Sequence, residues 1–216
     1  MTKESQIPNA SRSGHSVKNP VQKRSIQKKE RIIASAFRLF KTMDYNSVSI
    51  RLIAREAGVS IGILYSYFAN KQDIFFAARG LYRDEIYHRF LETIEKKIDV
   101  SDSLENAIVM VLETLDASIC DFEIFHRQIL LFSLSDASVA KNQMNLEKKY
   151  ATAVSAVFFE KFKDKIAIAN TAAVTYLLHR ILKETVERLL FFPSEISKEE
   201  VFHEVSKMLA DYLREQ

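Results

Sequence analysis

Apolar residues recur at helical spacing along almost the whole chain. In "QKKERIIASAFRLFKTM", Ile33, Ala36, Phe37 and Phe40 fall at i, i+3, i+4 and i+7, the period of a helix with one buried face. The stripe fades near Asp44, a residue type that tolerates the left-handed backbone at a helix end. It returns in "SVSIRLIAREAG" at Ile50, Ile53, Ala54 and Ala57, with Ser47 or Ser49 as N-cap and Gly58 as the left-handed closing residue. Arg51 and Arg55 fall on the opposite face. Ser60 caps a third segment, "IGILYSYF", whose packed side is Leu64 and Phe68 with Ile61 one turn earlier; Gly62, Ile63, Ser66 and, at the margin, Tyr65 lie around the helix from them. Asn70 caps the next helix, with Asp73 in reach of its first turn.

The same spacing predicts a long helix through Ile74, Ala78 and Leu81 toward Ile98, then a start marked by Asp102 with Glu105. Helical stripes continue in "LENAIVMVLETLDASI", "FEIFHRQILLFSL", "KKYATAVSAVFFEKF" and "NTAAVTYLLHRILKETVERLLFF", and Pro193 breaks the run. "SKEEVFHEVSKMLADYL" restarts it with a capping box at Ser197 and Glu200, and Val201, Val205, Met208, Leu209 and Tyr212 line one side. Residues 1–22, with Pro8, Pro20 and no periodicity, read as a disordered basic arm. The pattern predicts an all-α protein. Four glycines, three prolines and no tryptophan in 216 residues sit badly with turn-rich β or α/β folds.

Charge divides the chain. Up to Arg79 there are 14 Lys and Arg against 5 Asp and Glu, a balance of +9, which leaves 17 against 23, or −6, for the remainder. A basic front end fits a polyanion, either nucleic acid or a membrane surface, while a solvated face is the bland alternative. The single Cys120 has no partner for a disulfide or a zinc site and reads as a buried core thiol in a reducing compartment. No run approaches the ~18 apolar residues of a spanning helix, and the first residues hold no apolar leader core, so the expected location is the cytoplasm, with no membrane partner.

Two short helices joined by a Gly-containing turn inside a basic segment describe a helix-turn-helix, whose second helix enters the major groove. Gly62 fits that reading. A glycine there costs about 1 kcal/mol against alanine, and close approach to DNA is one compensating reason; close packing against the first or fourth helix is another.

The run "IIASAFRLFKTMDYNSVSIRLIAREAGVSIGILYSYFANKQDIFFA" resembles the amino-terminal domain of the TetR family of bacterial transcriptional regulators. The matching elements are A-x-x-L-F at Ala36, Leu39 and Phe40, I-A-x-x-A-G-V-S from Ile53 to Ser60, and G-x-L-Y-x-Y-F-x-x-K from Gly62 to Lys71. Asp44 departs from the family's usual glycine, and Ile63 from a small or hydroxyl residue. The resemblance implies a helix-turn-helix domain over 23–79 and a helical effector-binding and dimerisation domain over 80–216. It also implies a DNA-facing set of Arg51, Ser60, Ile61, Gly62, Ile63, Tyr65, Ser66, Tyr67 and Lys71. Within it Arg51 matches a position that reaches guanine or phosphate in some members, with a solvated arginine as an equal alternative. Tyr65, Tyr67 and Lys71 match phosphate contacts, Tyr67 having packing as a rival role. Ile61 and Ile63 suit thymine methyls, and Ile61 equally suits the core.

For the second domain the resemblance implies an enclosed small-molecule effector, no cofactor, and a homodimer formed through the last two long helices, which presents two recognition helices to a palindromic double-stranded DNA operator. Asp116 and His126 are candidates for lining the effector pocket; a satisfied core histidine and a carboxylate at a wet edge are the plainer readings. Phe122, Phe125, Phe158 and Phe159 suit an apolar effector and equally a core. No H-E-x-x-H, G-x-S-x-G or Gly-rich phosphate loop occurs, so the expectation is a ligand-released repressor and not an enzyme. An interaction protein on the same fold, acting through a protein partner, is the alternative.

Overall fold

The computed structural model describes residues 20–192 and 194–214. Most of the expected basic arm and the break at Pro193 lie outside the described residues. The elements are α1 (Pro20–Thr42), a 3-10 turn (Tyr45–Ser47), α2 (Ile50–Glu56), α3 (Ile61–Tyr65), α4 (Lys71–Glu92) with a π-helical turn after it (Thr93–Lys97), α5 (Leu104–Asp121), α6 (Glu123–Ser135), α7 (Ala137–Lys161), α8 (Thr171–Phe191) and α9 (Lys198–Arg214). Among the described residues there is no strand, so the protein is all-helical. α1 starts three residues inside the expected arm, at Pro20, where a missing N–H costs nothing in a first turn.

The short caps follow the local chemistry. Ser49 Oγ accepts from Leu52 N at 3.1 Å, Ser60 Oγ from Ile63 N at 3.2 Å and Asn70 Oδ1 from Asp73 N at 2.9 Å. Gly58 takes φ +61°, the conformation that closes α2 and turns the chain into α3. Ser197 and Glu200 form the reciprocal capping box at α9, with bonds of 3.0 and 3.2 Å.

Other expectations are corrected. Asp44 is extended (φ −59°, ψ 149°), not left-handed. Its carboxylate instead accepts from Arg127 Nη2 at 3.3 Å and Gln128 Nε2 at 3.2 Å on α6. Ser103, not Asp102, caps α5, because Asp102 Oδ2 is taken by Asp99 N at 2.7 Å. The long helix does not run unbroken to Ile98, since α4 loosens into the π turn after Glu92. Leu81 faces solvent and Tyr82 takes the buried place beside it. Cys120 is exposed.

Two apolar clusters form. The first holds α1–α4 together and includes Ile32, Phe40, Ile53, Leu64, Phe68 and Phe75, but it also takes in Phe122, Phe125 and Ile129 from around α6. Its rings interlock: Phe75 lies 5.1 Å from Phe40 and 4.8 Å from Phe125, centroid to centroid. The second cluster joins the π turn, α5, α7, α8 and α9 through Ile94, Leu112, Phe162, Val186 and Leu213. α4 and α6 thus connect the three-helix head to the larger helical body.

Candidate functional site

α2 and α3 cross with Ile53, Ala54, Ala57 and Leu64 buried between them, which turns the other side of α3 outward. Gly62 is exposed there, and a Cβ built on it meets only Ser60 Oγ, at 4.0 Å. Packing within the chain therefore does not require this glycine. Tyr65 is 52% exposed and Ile61 39% exposed, so Ile61 stands on the outer surface and not in the core. Ile63 is half-buried, and Arg51, on α2, is exposed beside this surface. Ser60 and Ser66 use their hydroxyls on the ends of α3, Ser66 Oγ donating to Ile63 O at 2.6 Å.

Two members of the expected set have internal partners. Tyr67 is half-buried and its hydroxyl lies 3.0 Å from Ser25 Oγ on α1. Lys71 Nζ donates to Tyr45 O at 2.8 Å and Val48 O at 2.9 Å, and sits 4.0 Å from the centre of the Tyr45 ring. Its partial burial lowers its pKa. Lys71 thus ties the turn before α2 to the start of α4, leaving one N–H for an outside group. Nothing in its composition distinguishes this lysine from a free one; only the folded approach of Tyr45 and Val48 does.

A second site lies in the body: a cavity of about 190 Å³ between α4, α5, α7 and α8, walled chiefly by apolar side chains such as Phe90, Ile108, Val111, Leu115, Phe158 and Leu178. His126 lines it; Asp116 does not, being held at 2.7 Å by Lys198 on α9. One end of the cavity is polar, a feature that the sequence reading did not anticipate. Tyr82 Oη donates to His126 Nδ1, His126 Nε2 donates to Glu187 Oε1 at 2.8 Å, and Lys183 Nζ lies 2.7 Å from the same oxygen. The neutral imidazole that satisfies both neighbours carries its proton on Nε2. Arg79 Nη1 donates to Gln143 Oε1 at 3.1 Å, and Gln143 Nε2 donates to Glu147 Oε1 at 2.8 Å.

Burial pushes both carboxyls upward, yet the surrounding donors prevail. His179, Lys183 and Gln143 hold Glu147 at about 2, and His126 and Lys183 lower Glu187. Burial, with the like charge of Arg83 adding to it, lowers Arg79 to about 10. Helical periodicity hid this network because its members sit on four helices, α4, α6, α7 and α8, far apart in the chain. No group of three or more His, Cys, Asp or Glu among the described residues is arranged to hold a metal ion. No helix among them is long and apolar enough to cross a membrane.

The head is a helix-turn-helix unit, and known proteins are similar to it. A model of the bacterial regulatory proteins of the tetR family matches residues 32–78. The uncharacterized HTH-type transcriptional regulator YuxN of Bacillus subtilis (strain 168) is 29% identical over 113 residues, 52% of this chain and 36% of that protein. The HTH-type transcriptional regulator HbdR of Aromatoleum sp. (strain CIB) is 44% identical over 50 residues, 23% of this chain and 22% of that protein. The chain thus spans little more than a third of these relatives at most. In fold it is similar to the multidrug binding protein EbrR, solved with imidazole, at a TM-score of 0.63 and 18% identity, over 87% of this chain and 92% of that one. The resemblance to the tetR family of bacterial regulatory proteins thus lies in the head, over residues 32–78, and the likeness to solved structures extends over the fold as a whole.

Proposed function

We propose that the protein is a homodimeric DNA-binding repressor whose head, residues 23–79, reads a palindromic operator and whose body, residues 80–216, releases it when a small molecule enters the cavity. The observation that carries the reading is Gly62: an exposed glycine in a short helix, with open space where its Cβ would be, is accounted for by close approach of something outside the chain. Arg51, Ile61 and Tyr65, exposed around it, offer a guanidinium for guanine, a methyl surface for thymine and a hydroxyl for phosphate. Lys71 serves this interface chiefly by bracing the turn before α2.

Dimerisation through α8 and α9 is supported by what those helices leave outside. Phe202, Leu209, Ala210 and Leu213 are the buried side of α9. Of the other residues of the stripe, Val205 and Tyr212 are only partly buried and Met208 is 53% exposed, and on α8 Tyr176 and Leu177 are exposed as well. A two-fold pairing of such faces gives two recognition helices about 34–36 Å apart, one turn of DNA. Release is supported by α4 and α6, each of which lines the cavity and enters the head's core. EbrR, of similar fold, is a multidrug binding protein, which supports a small-molecule effector here.

Selection of random double-stranded oligonucleotides on the purified protein tests the reading. The expected result is a two-fold symmetric consensus with half-sites one helical turn apart. No enrichment even at low salt would overturn it and favour a protein partner instead.

A further inference from the structure

The polar end of the cavity is not closed upon itself. Two cations, Arg83 and Lys183, line it with one carboxylate, Glu147, while Arg79 and Glu187 stand behind the lining on Gln143 and on His126 and Lys183. Glu187 is occupied by His126 and Lys183, and Glu147 by Gln143, with Lys183 at 3.7 Å and His179 at 3.6 Å. Arg79 reaches Gln143. Arg83, one turn further along α4, lines the cavity beneath the Tyr150 ring, and its Nε and Nη1 are buried without a hydrogen-bond partner. Buried guanidinium donors left unpaired are costly, so these two N–H groups call for acceptor oxygens.

We propose that the cavity binds an aliphatic carboxylate, its carboxylate oxygens on Arg83 and its chain along Phe90, Val111, Leu115 and Phe158. The inference rests on the reading of this cavity as the effector site and gives that effector its chemical class. A cationic ligand would meet Arg83 and Lys183; a neutral one would leave Arg83 unpaired. Glu147 is the carboxylate of the lining itself, and its engagement with Gln143, Lys183 and His179 keeps it from serving as the partner of Arg83. At roughly 10–15 Å³ of such space per water-sized atom, a cavity of about 190 Å³ admits on the order of a dozen heavy atoms, the size of a ten-carbon acid.

Isothermal titration of the full chain with decanoate, 1-decanol and decyltrimethylammonium, each below its aggregation threshold, tests this. Decanoate binds about tenfold or more tighter than decanol, the value of a charge-assisted bond to a buried donor, and the ammonium binds most weakly. Arg83→Met abolishes the preference of decanoate over decanol, and Arg83→Lys retains part of it. Equal affinities for acid and alcohol, a preference that survives Arg83→Met, or no binding by any of the three would overturn the proposal. If Arg83→Met binds neither compound, Arg83→Lys decides: loss of the acid preference there as well overturns it, and its retention upholds it. The regulator reading fails separately, through the absence of an operator consensus for the wild-type chain.

Discussion

The head and the body of this protein bury apolar surface in opposite ways. In the head, Phe40, Tyr45, Phe75, Phe125 and Phe132 interlock ring against ring, and Phe40 and Phe75 are almost wholly buried. In the body, the helices stand around an opening of about 190 Å³ with buried charge at one end. A solid core fixes α3 relative to α1 and α4, which a helix that must seat in a groove requires. A hollow core with paired charges forgoes stability, and the return is a place for a ligand. α4 and α6 belong to both, so the contrast lies along the same helices: Phe75 and Phe125 on the solid side, Tyr82 and His126 at the opening.

The largest effect expected from this contrast is on packing. Phe75→Ala destabilises the chain by about 3–5 kcal/mol, as large-to-small changes in solid cores do, whereas Phe159→Ala, half-buried on the cavity wall, costs less than half as much. Urea midpoints of the two variants measure the difference, and equal losses would erase the distinction.

Acid is the next way to break it. Glu147 titrates at about 2 in the folded protein against an ordinary 4.5, so its stabilising contribution is fully present above about 4.5 and is lost as pH falls toward 2. That shift is on the order of 3 kcal/mol, and Glu187 moves in the same direction. Unfolding free energy measured from pH 7 to pH 3 therefore falls steeply for the wild type and less steeply for Glu147→Gln. Parallel curves would mean that the body's buried charges are not linked to its folding.

A smaller effect is expected at the seam. Asp44 pairs with Arg127 and Gln128 of α6, one and two residues beyond His126 at the cavity. The pair is exposed, so Asp44→Ala costs less than about 1 kcal/mol in stability. If α6 carries the ligand's effect to the head, the variant also narrows the difference between operator affinities with and without ligand, and linkage requires an equal narrowing in ligand affinity with and without operator. Unchanged coupling would leave α4 as the route.

Sequence and structure agree most closely where the determinants are local. Ser49, Ser60, Asn70 and Ser197 cap helices because the acceptor and the N–H it meets are within three residues of each other, and Gly58 is left-handed where a tight turn requires it. The face of a helix is less legible. The α9 stripe reads as one side of Val201, Val205, Met208, Leu209 and Tyr212, yet the face that neighbouring α5 buries is centred on Phe202, Leu209 and Leu213, and Met208 is exposed. Asp44 suggested a local backbone role and has a distant one on α6, 83 residues away. His126 was legible as a polar residue on an apolar stripe, but its partners Tyr82 and Glu187 lie 44 and 61 residues from it, beyond the reach of any spacing rule.

The interface in the head remains the center of the account, and Gly62→Ala tests it most directly. A methyl group there meets nothing closer than Ser60 Oγ at 4.0 Å, so the variant folds as well as the wild type or gains up to about 1 kcal/mol, as glycine-to-alanine changes in helices do. Its affinity for the selected operator should nevertheless fall about tenfold, equivalent to roughly 1.4 kcal/mol. Thermal unfolding and operator titration on the same preparation give both numbers. A melting temperature at or above that of the wild type together with weakened operator binding is the predicted result; operator affinity equal to that of the wild type would contradict the claim that this face of α3 meets DNA.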